Sequence, residues 1–113
     1  MHELAATEDM LQLVLAEAER AGASRVTAVQ VLLGEFATVV EESLTFYWEL
    51  LTQGTPAEGA RLQFNRQAAL ARCRGCGRTY RPESRDRRCP DCGQAVPELL
   101  RGVEFRVEFI EIE

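Results

Sequence analysis

Apolar residues recur at helical spacing from Glu3 to Ala21, through Ala6, Met10, Leu13, Val14, Ala18 and Ala21, with Glu8, Glu19 and Arg20 among the outward positions. This predicts an amphipathic helix, and Gly22 is placed to end it. The stretch from Ser24 to Glu35 is rich in β-branched residues and alternates through Val29, Val31 and Leu33, the period of a strand. A second helical stripe, Val40, Leu44, Tyr47, Trp48 and Leu51, predicts a helix over roughly 41–52, closed by Gly54 and Pro56. Arg61 to Ala71 reads as one strand. The C-terminal run alternates through Val103, Phe105, Val107 and Phe109, then changes phase to Ile110 and Ile112, which a bulge near Phe109 would reconcile.

The order helix, strand, helix, strand, cysteine-rich segment, strand implies an α+β fold. Two helices are expected to pack on one face of a small three-stranded sheet, with a zinc-knuckle, ribbon-like domain inserted between the last two strands. The expected division is residues 1–70 with 98–113 as one α/β domain and 71–97 as the insert.

A chain of 113 residues that is 46% hydrophobic can bury a modest core. No apolar run approaches the roughly 18 residues of a membrane span, and the start lacks the pattern of a signal peptide, so the expected compartment is the cytoplasm. The net charge of −5 argues against a nucleic-acid role, but it hides an asymmetry. All 13 basic residues are arginine; seven lie between Arg72 and Arg88 against only Glu83 and Asp86, and the remaining six face 16 acids.

The basic stretch also holds all four cysteines, as Cys73-x-x-Cys76-Gly77 and Cys89-x-x-Cys92-Gly93 with 12 residues between the pairs. Two such knuckles can bring four thiolates to one ion about 2.3 Å away, the donor set of structural zinc. The spacing also admits iron in a rubredoxin-like site. Disulfides suit an exported chain, and a redox C-x-x-C usually stands alone beside a βαβ unit. Between Cys76 and Cys89 the only large apolar residue is Tyr80, so this segment has no core and metal must supply its folding free energy. Four protein thiolates close the coordination sphere, so the ion is a staple. Arg72, Arg74, Arg78 and Arg88 would offset the negative thiolate cluster. The competing reading is a zinc-ribbon regulator that binds nucleic acid, but no aromatic row accompanies the arginines.

A general base is hard to find. The single histidine is His2, the serines have no partner imidazole, and neither a phosphate loop nor a dinucleotide fingerprint occurs. An enzyme is not expected. His2 gains a different chemistry from its position: the Met1 amine, the His2 backbone nitrogen and the His2 Nδ1 can close fused five- and six-membered chelate rings. With the amide deprotonated, this planar nitrogen set suits Ni(II) or Cu(II). The backbone or carboxylate of Glu3 could add a fourth donor. A helix start accommodates such a chelate, because its first amides have no intrahelical acceptor.

"MHEL" at the start, "GASRVTAVQVLLGEF", "LLTQGTPAEGARL", the knuckles "CRGCG" and "CPDCG", and the final "IEIE" together resemble the HypA family of nickel chaperones for [NiFe]-hydrogenase maturation, over essentially the whole chain. The resemblance implies nickel binding at Met1, His2 and Glu3 and structural zinc at Cys73, Cys76, Cys89 and Cys92. It also implies a nickel-insertion GTPase of the HypB kind and the hydrogenase large subunit as partners, with urease maturation proteins in some members, and no membrane role. It leaves monomer and homodimer both open. Two departures touch no implied ligand: Ala5 and Ala6 replace the usual Ser-Ile, and Glu41 replaces a proline before the second helix. A third does bear on the zinc site. Histidines that flank the cysteines in some relatives are missing here, so pH-dependent remodelling through them is not expected.

Overall fold

In a computed structural model describing residues 2–113, helix α1 spans Glu3–Arg20 and buries Glu3, Thr7, Met10, Leu11, Val14 and Ala18. These positions recur at steps of three and four, as a stripe facing one neighbour requires. The helix closes as its sequence predicts: the Gly22 amide donates to the Glu19 carbonyl and the Ala23 amide to the Ala18 carbonyl, the paired bonds of a Schellman motif.

Strand β1, Val26–Gly34, lies at the centre of a three-stranded sheet with β2 (Arg61–Gln67) on one side and a long C-terminal strand, Phe105–Ile112, on the other. Val26, Val29 and Val31 join Met10, Leu11, Val14 and Ala18 of α1 in one core. Helix α2, Glu41–Leu51, adds Leu44 and Trp48. Each large side chain fully withdrawn from water here contributes about 1.5–3 kcal/mol. Trp48 also satisfies its only donor, with Nε1 bonded to the Ala60 carbonyl at 3.1 Å. On the sheet's other face the Asn65 amide reaches across β1 to the Glu108 carboxylate at 3.2 Å.

The cysteine-rich segment has its own sheet, which the sequence does not announce. Strands β3 (Leu70–Arg72), β4 (Thr79–Tyr80) and β5 (Glu98–Arg101) pair antiparallel in the order β4-β3-β5. At two to four residues they are too short to show alternation. The C-terminal strand is therefore β6. Its inward face changes phase between Val107 and Ile110, and Phe109 points outward. Val103 precedes the strand and is exposed.

The expected single strand over 61–71 is instead two strands, and the break has a physical cause. The chain leaves one sheet for the other at 68–69. There the Ala69 amide donates to the Glu35 carboxylate (2.8 Å) rather than to a ladder carbonyl. Three backbone segments cross at this point: Gly34 donates to the Glu104 carbonyl (2.7 Å), Glu35 to the Gln67 carbonyl (2.8 Å) and Phe36 to the Gly102 carbonyl (2.7 Å). A Cβ on Gly34 would stand 2.2 Å from the Gly102 oxygen, and one on Gly102 2.6 Å from the Ala69 Cα. Only glycine permits this approach.

The chain divides into two compact units. One comprises Met1–Leu32, Thr38–Asn65 and Phe105–Glu113; the other comprises Leu33–Ala37 and Arg66–Glu104.

Because the obstructing atoms at Gly34 are backbone, Gly34→Ala should lower the unfolding free energy by about 3 kcal/mol or more. Gly59→Ala, at a positive φ but with open space around it, should cost only about 1–2 kcal/mol. Guanidinium titrations followed by circular dichroism compare the two; equal losses would mean that the crossing is not tight.

Candidate metal sites

The N-terminal ligand candidates are His2 and Glu3, with Met1 lying outside the described residues. His2 is the N-cap of α1 and exposed, and its carbonyl accepts the Ala6 amide at 2.9 Å. No side chain caps this helix start. Glu3, the first helical residue, is only 9% exposed, because its side chain turns toward α2. Its Oε2 accepts the backbone amide of Val40, the N-cap residue of α2, at 3.0 Å. In a capping box a glutamate three residues into a helix reaches back to its own N-cap amide. Glu3 makes the same bond from a different helix.

The Val40 amide is also the main reason that the Glu3 carboxyl is held below the usual carboxylate range. The sequence offered Glu3 only as a ligand candidate. Its second role, joining the starts of two helices, depends on a long-range contact that no local pattern carries.

The four cysteines come together. Their sulfurs all lie within 4.8 Å of one another, with Cys73 to Cys92 at 3.3 Å and Cys76 to Cys89 at 3.7 Å, and none is in a disulfide. Two copies of one turn build the cluster. In the first, the Gly77 amide donates to the Cys73 carbonyl and the Cys73 amide to the Arg78 carbonyl. In the second, Gly93 donates to Cys89 and Cys89 to Gln94. Both glycines have φ near the left-handed region, +78° and +77°, where a side chain would be strained.

Backbone amides also point at sulfur, from Gly75 (3.3 Å) and Cys76 (3.4 Å) to the Cys73 Sγ. The Cys76 amide leads in pulling the Cys73 thiol down to about 6. The Gln94 amide would lower Cys92 likewise, but the crowding of Cys73 and the other sulfurs outweighs it and pushes Cys92 up to about 11. Held as four thiolates this close, the sulfurs would need a cation among them. Thiolates in this number and spacing fit a tetrahedral soft-metal site, and four of them leave no open position for substrate.

Around the cluster the arginines mostly meet carboxylates, which corrects the expectation that they simply offset the thiolates. Arg78 pairs with Asp91 at 2.6 Å, Arg88 with Asp86 at 2.9 Å and Arg72 with Glu98 at 3.7 Å. Arg78 does both: Asp91 is the main cause of its raised pKa, and the charges of Cys89 and Cys76 add to it. The apolar support is small. Ala71, Cys73, Tyr80 and Cys89, with Leu99 beside them, are the whole buried cluster.

A family model described as "Hydrogenase/urease nickel incorporation, metallochaperone, hypA" matches residues 1–112. The hydrogenase maturation factor HypA of Dehalococcoides mccartyi is 42% identical over 113 residues, spanning all of this chain and 95% of that protein. Its counterpart in Caldanaerobacter subterraneus is 40% identical over 114 residues, with each chain fully covered. Among solved structures, the solution structure of the Ni metallochaperone HypA from Helicobacter pylori matches 99% of this chain and 97% of its own with a TM-score of 0.68 at 19% identity. A second HypA solution structure matches with a TM-score of 0.71 at 20% identity. The two structures share the fold.

If Glu3 joins the helix starts, Glu3→Ala should speed hydrogen exchange at the Val40 amide. Glu3→Gln, which keeps a carbonyl acceptor, should restore most of the protection. Exchange at Val40 that is indifferent to both substitutions would show that the bond is not maintained in solution.

Proposed function

This chain belongs to the HypA family of nickel metallochaperones for hydrogenase maturation, and on that footing we propose that Met1, His2 and Glu3 carry Ni(II) as labile cargo while Cys73, Cys76, Cys89 and Cys92 hold a permanent Zn(II). The recipient is the [NiFe]-hydrogenase large subunit, reached in the cytoplasm together with a HypB-like GTPase. Nickel would be carried by the unit of Met1–Leu32, Thr38–Asn65 and Phe105–Glu113, and zinc by the unit of Leu33–Ala37 and Arg66–Glu104, which takes in more of the chain than the expected insert 71–97. The chain acts as a carrier, so it needs no catalytic group.

The observation that carries the reading is the exposed His2 on the first turn of a helix whose start is fixed by the Glu3–Val40 bond. A cargo site must be reachable by the partner that empties it, and a chelate made chiefly from the chain end is reachable. It must also be presented in one place, and a helix start joined to a second helix start provides that. The amine, amide and imidazole nitrogens each bind nickel only without a competing proton, so affinity falls as pH falls. Cys73, Cys76, Cys89 and Cys92 would hold the zinc, which would neutralise the charge of their thiolates. The protein supplies the turns that aim the sulfurs and the amides that stabilise their negative form.

Two measurements test the two sites separately. Nickel titration of tag-free protein should saturate at one ion per chain, and both His2→Ala and acetylation of the terminal amine should abolish saturation without changing the zinc content. Nickel uptake that survives either change excludes the N-terminal site. Removing zinc with a strong chelator should speed amide exchange in the β3–β4 ladder, Ala71 to Tyr80 and Arg72 to Thr79, while the fluorescence of buried Trp48 stays as it was. Ladder protection that persists in the stripped protein would show that the ion is not needed to hold this segment.

A further inference from the structure

Residues 81–88, which lead from β4 to the second knuckle, contain no large apolar side chain, yet the loop is anchored. The Tyr80 hydroxyl donates to the Arg87 carbonyl at 2.5 Å, and Asp86 is gripped by both the Nε and the Nη2 of Arg88 at 2.9 and 3.0 Å. Two further arginines of the loop reach the residues that follow β1. The Arg87 guanidinium carbon lies 4.3 Å from the centre of the Phe36 ring, and the Arg81 Nη2 lies 3.8 Å from the Glu35 Oε1. Glu35 and Phe36 are themselves fixed by the backbone crossing. Both of their amides are bonded to neighbouring carbonyls, and the Glu35 Oε1 also accepts the Ala69 amide. A ring and a carboxylate are thus presented to the loop from a rigid base.

We propose that Phe36 is a positioning residue for the thiolate-held ion, acting through Arg87 to slow its exchange. The inference rests on the zinc reading of the four cysteines. For the ion to leave, one knuckle must swing away from the other, and Cys89 is the first ligand of the second knuckle. Arg87 stands two residues before it, so an Arg87 held on Phe36 limits how far Cys89 can travel. The magnitudes rank the two contacts. A cation over an aromatic face retards release by about two- to fivefold even at an exposed site. The Arg81–Glu35 pair is long and its side chains are 70% and 42% exposed, so it contributes less than about twofold.

The test is the rate of zinc transfer from the loaded full-length protein to the chromophoric chelator 4-(2-pyridylazo)resorcinol. Phe36→Leu, which keeps apolar bulk without a π face, should speed transfer about two- to fivefold. Phe36→Tyr should transfer at the unsubstituted rate. Arg87→Met, at an exposed position where folding is not at stake, should match Phe36→Leu, and the double variant should be no faster than either. The thiolate-to-cobalt absorption of Co(II)-loaded variants should be unchanged, because the ligands stay the same. Unchanged rates in Arg87→Met, a Tyr variant as fast as the Leu variant, or an altered cobalt spectrum would each overturn the assignment. A chain that contains no zinc overturns the zinc reading and this inference with it, whereas a loaded chain with unaltered rates overturns this inference alone.

Discussion

Apolar side chains suffice for one core in this chain. Fully buried Trp48, Leu44, Val14, Val26, Val29 and Val31 all belong to the unit that carries both helices. The other unit has a buried cluster of four residues, two of them cysteines that a metal would claim. Small domains that cannot bury enough surface rely on cross-links or metals, and the proposed zinc on the thiolate cluster would fill that need here. Short strands, paired knuckle turns and the many arginine–carboxylate contacts of this unit follow from it. Each is a local device that needs a fixed centre to be worth its ordering entropy.

The backbone crossing at Gly34, Ala69 and Gly102 serves a related purpose. Side chains are excluded from it, so the end of β1 is fixed against Gly102, and Gly102 against Ala69, within one unit. Glu35 then satisfies the amide that the strand break leaves unpaired, which a ladder carbonyl would otherwise have done. A glycine followed by a glutamate at a strand end looks ordinary in the sequence. Its importance depends on Gly102, more than sixty positions away.

How much was legible follows from the range of each interaction. Both helices were, because their apolar stripes, Ala6 to Ala21 and Val40 to Leu51, repeat over about three turns or more. The knuckles were legible because four thiolates converging on an ion fix both spacing and glycine position. The α+β class followed from the element order. The second sheet was not, since strands as short as Thr79–Tyr80 have no period. The break at 68–69 was hidden because Leu70 and Ala71 continue an apolar pattern while changing partners. The Glu3–Val40 bond joins residues 37 positions apart and had no sequence signal.

That bond also bears on the proposed cargo site. A helix start is electropositive, and a bare cation placed there is disfavoured by about 0.3–1 kcal/mol. Two helix starts meet at Glu3, so without a counter-charge the penalty on an ion at His2 would come from both. A carboxylate on the Val40 amide supplies an anion at that point whether or not it ligates the ion. Glu3 can therefore favour nickel at His2 electrostatically while its side chain does structural duty. This separates occupancy from selectivity. A nitrogen chelate next to a carboxylate favours divalent ions in general, and the Irving–Williams order places Cu(II) above Ni(II) at such donors. Preference for nickel must then come from which ion the carrier meets and which partner relieves it of the ion, and not from the chelate.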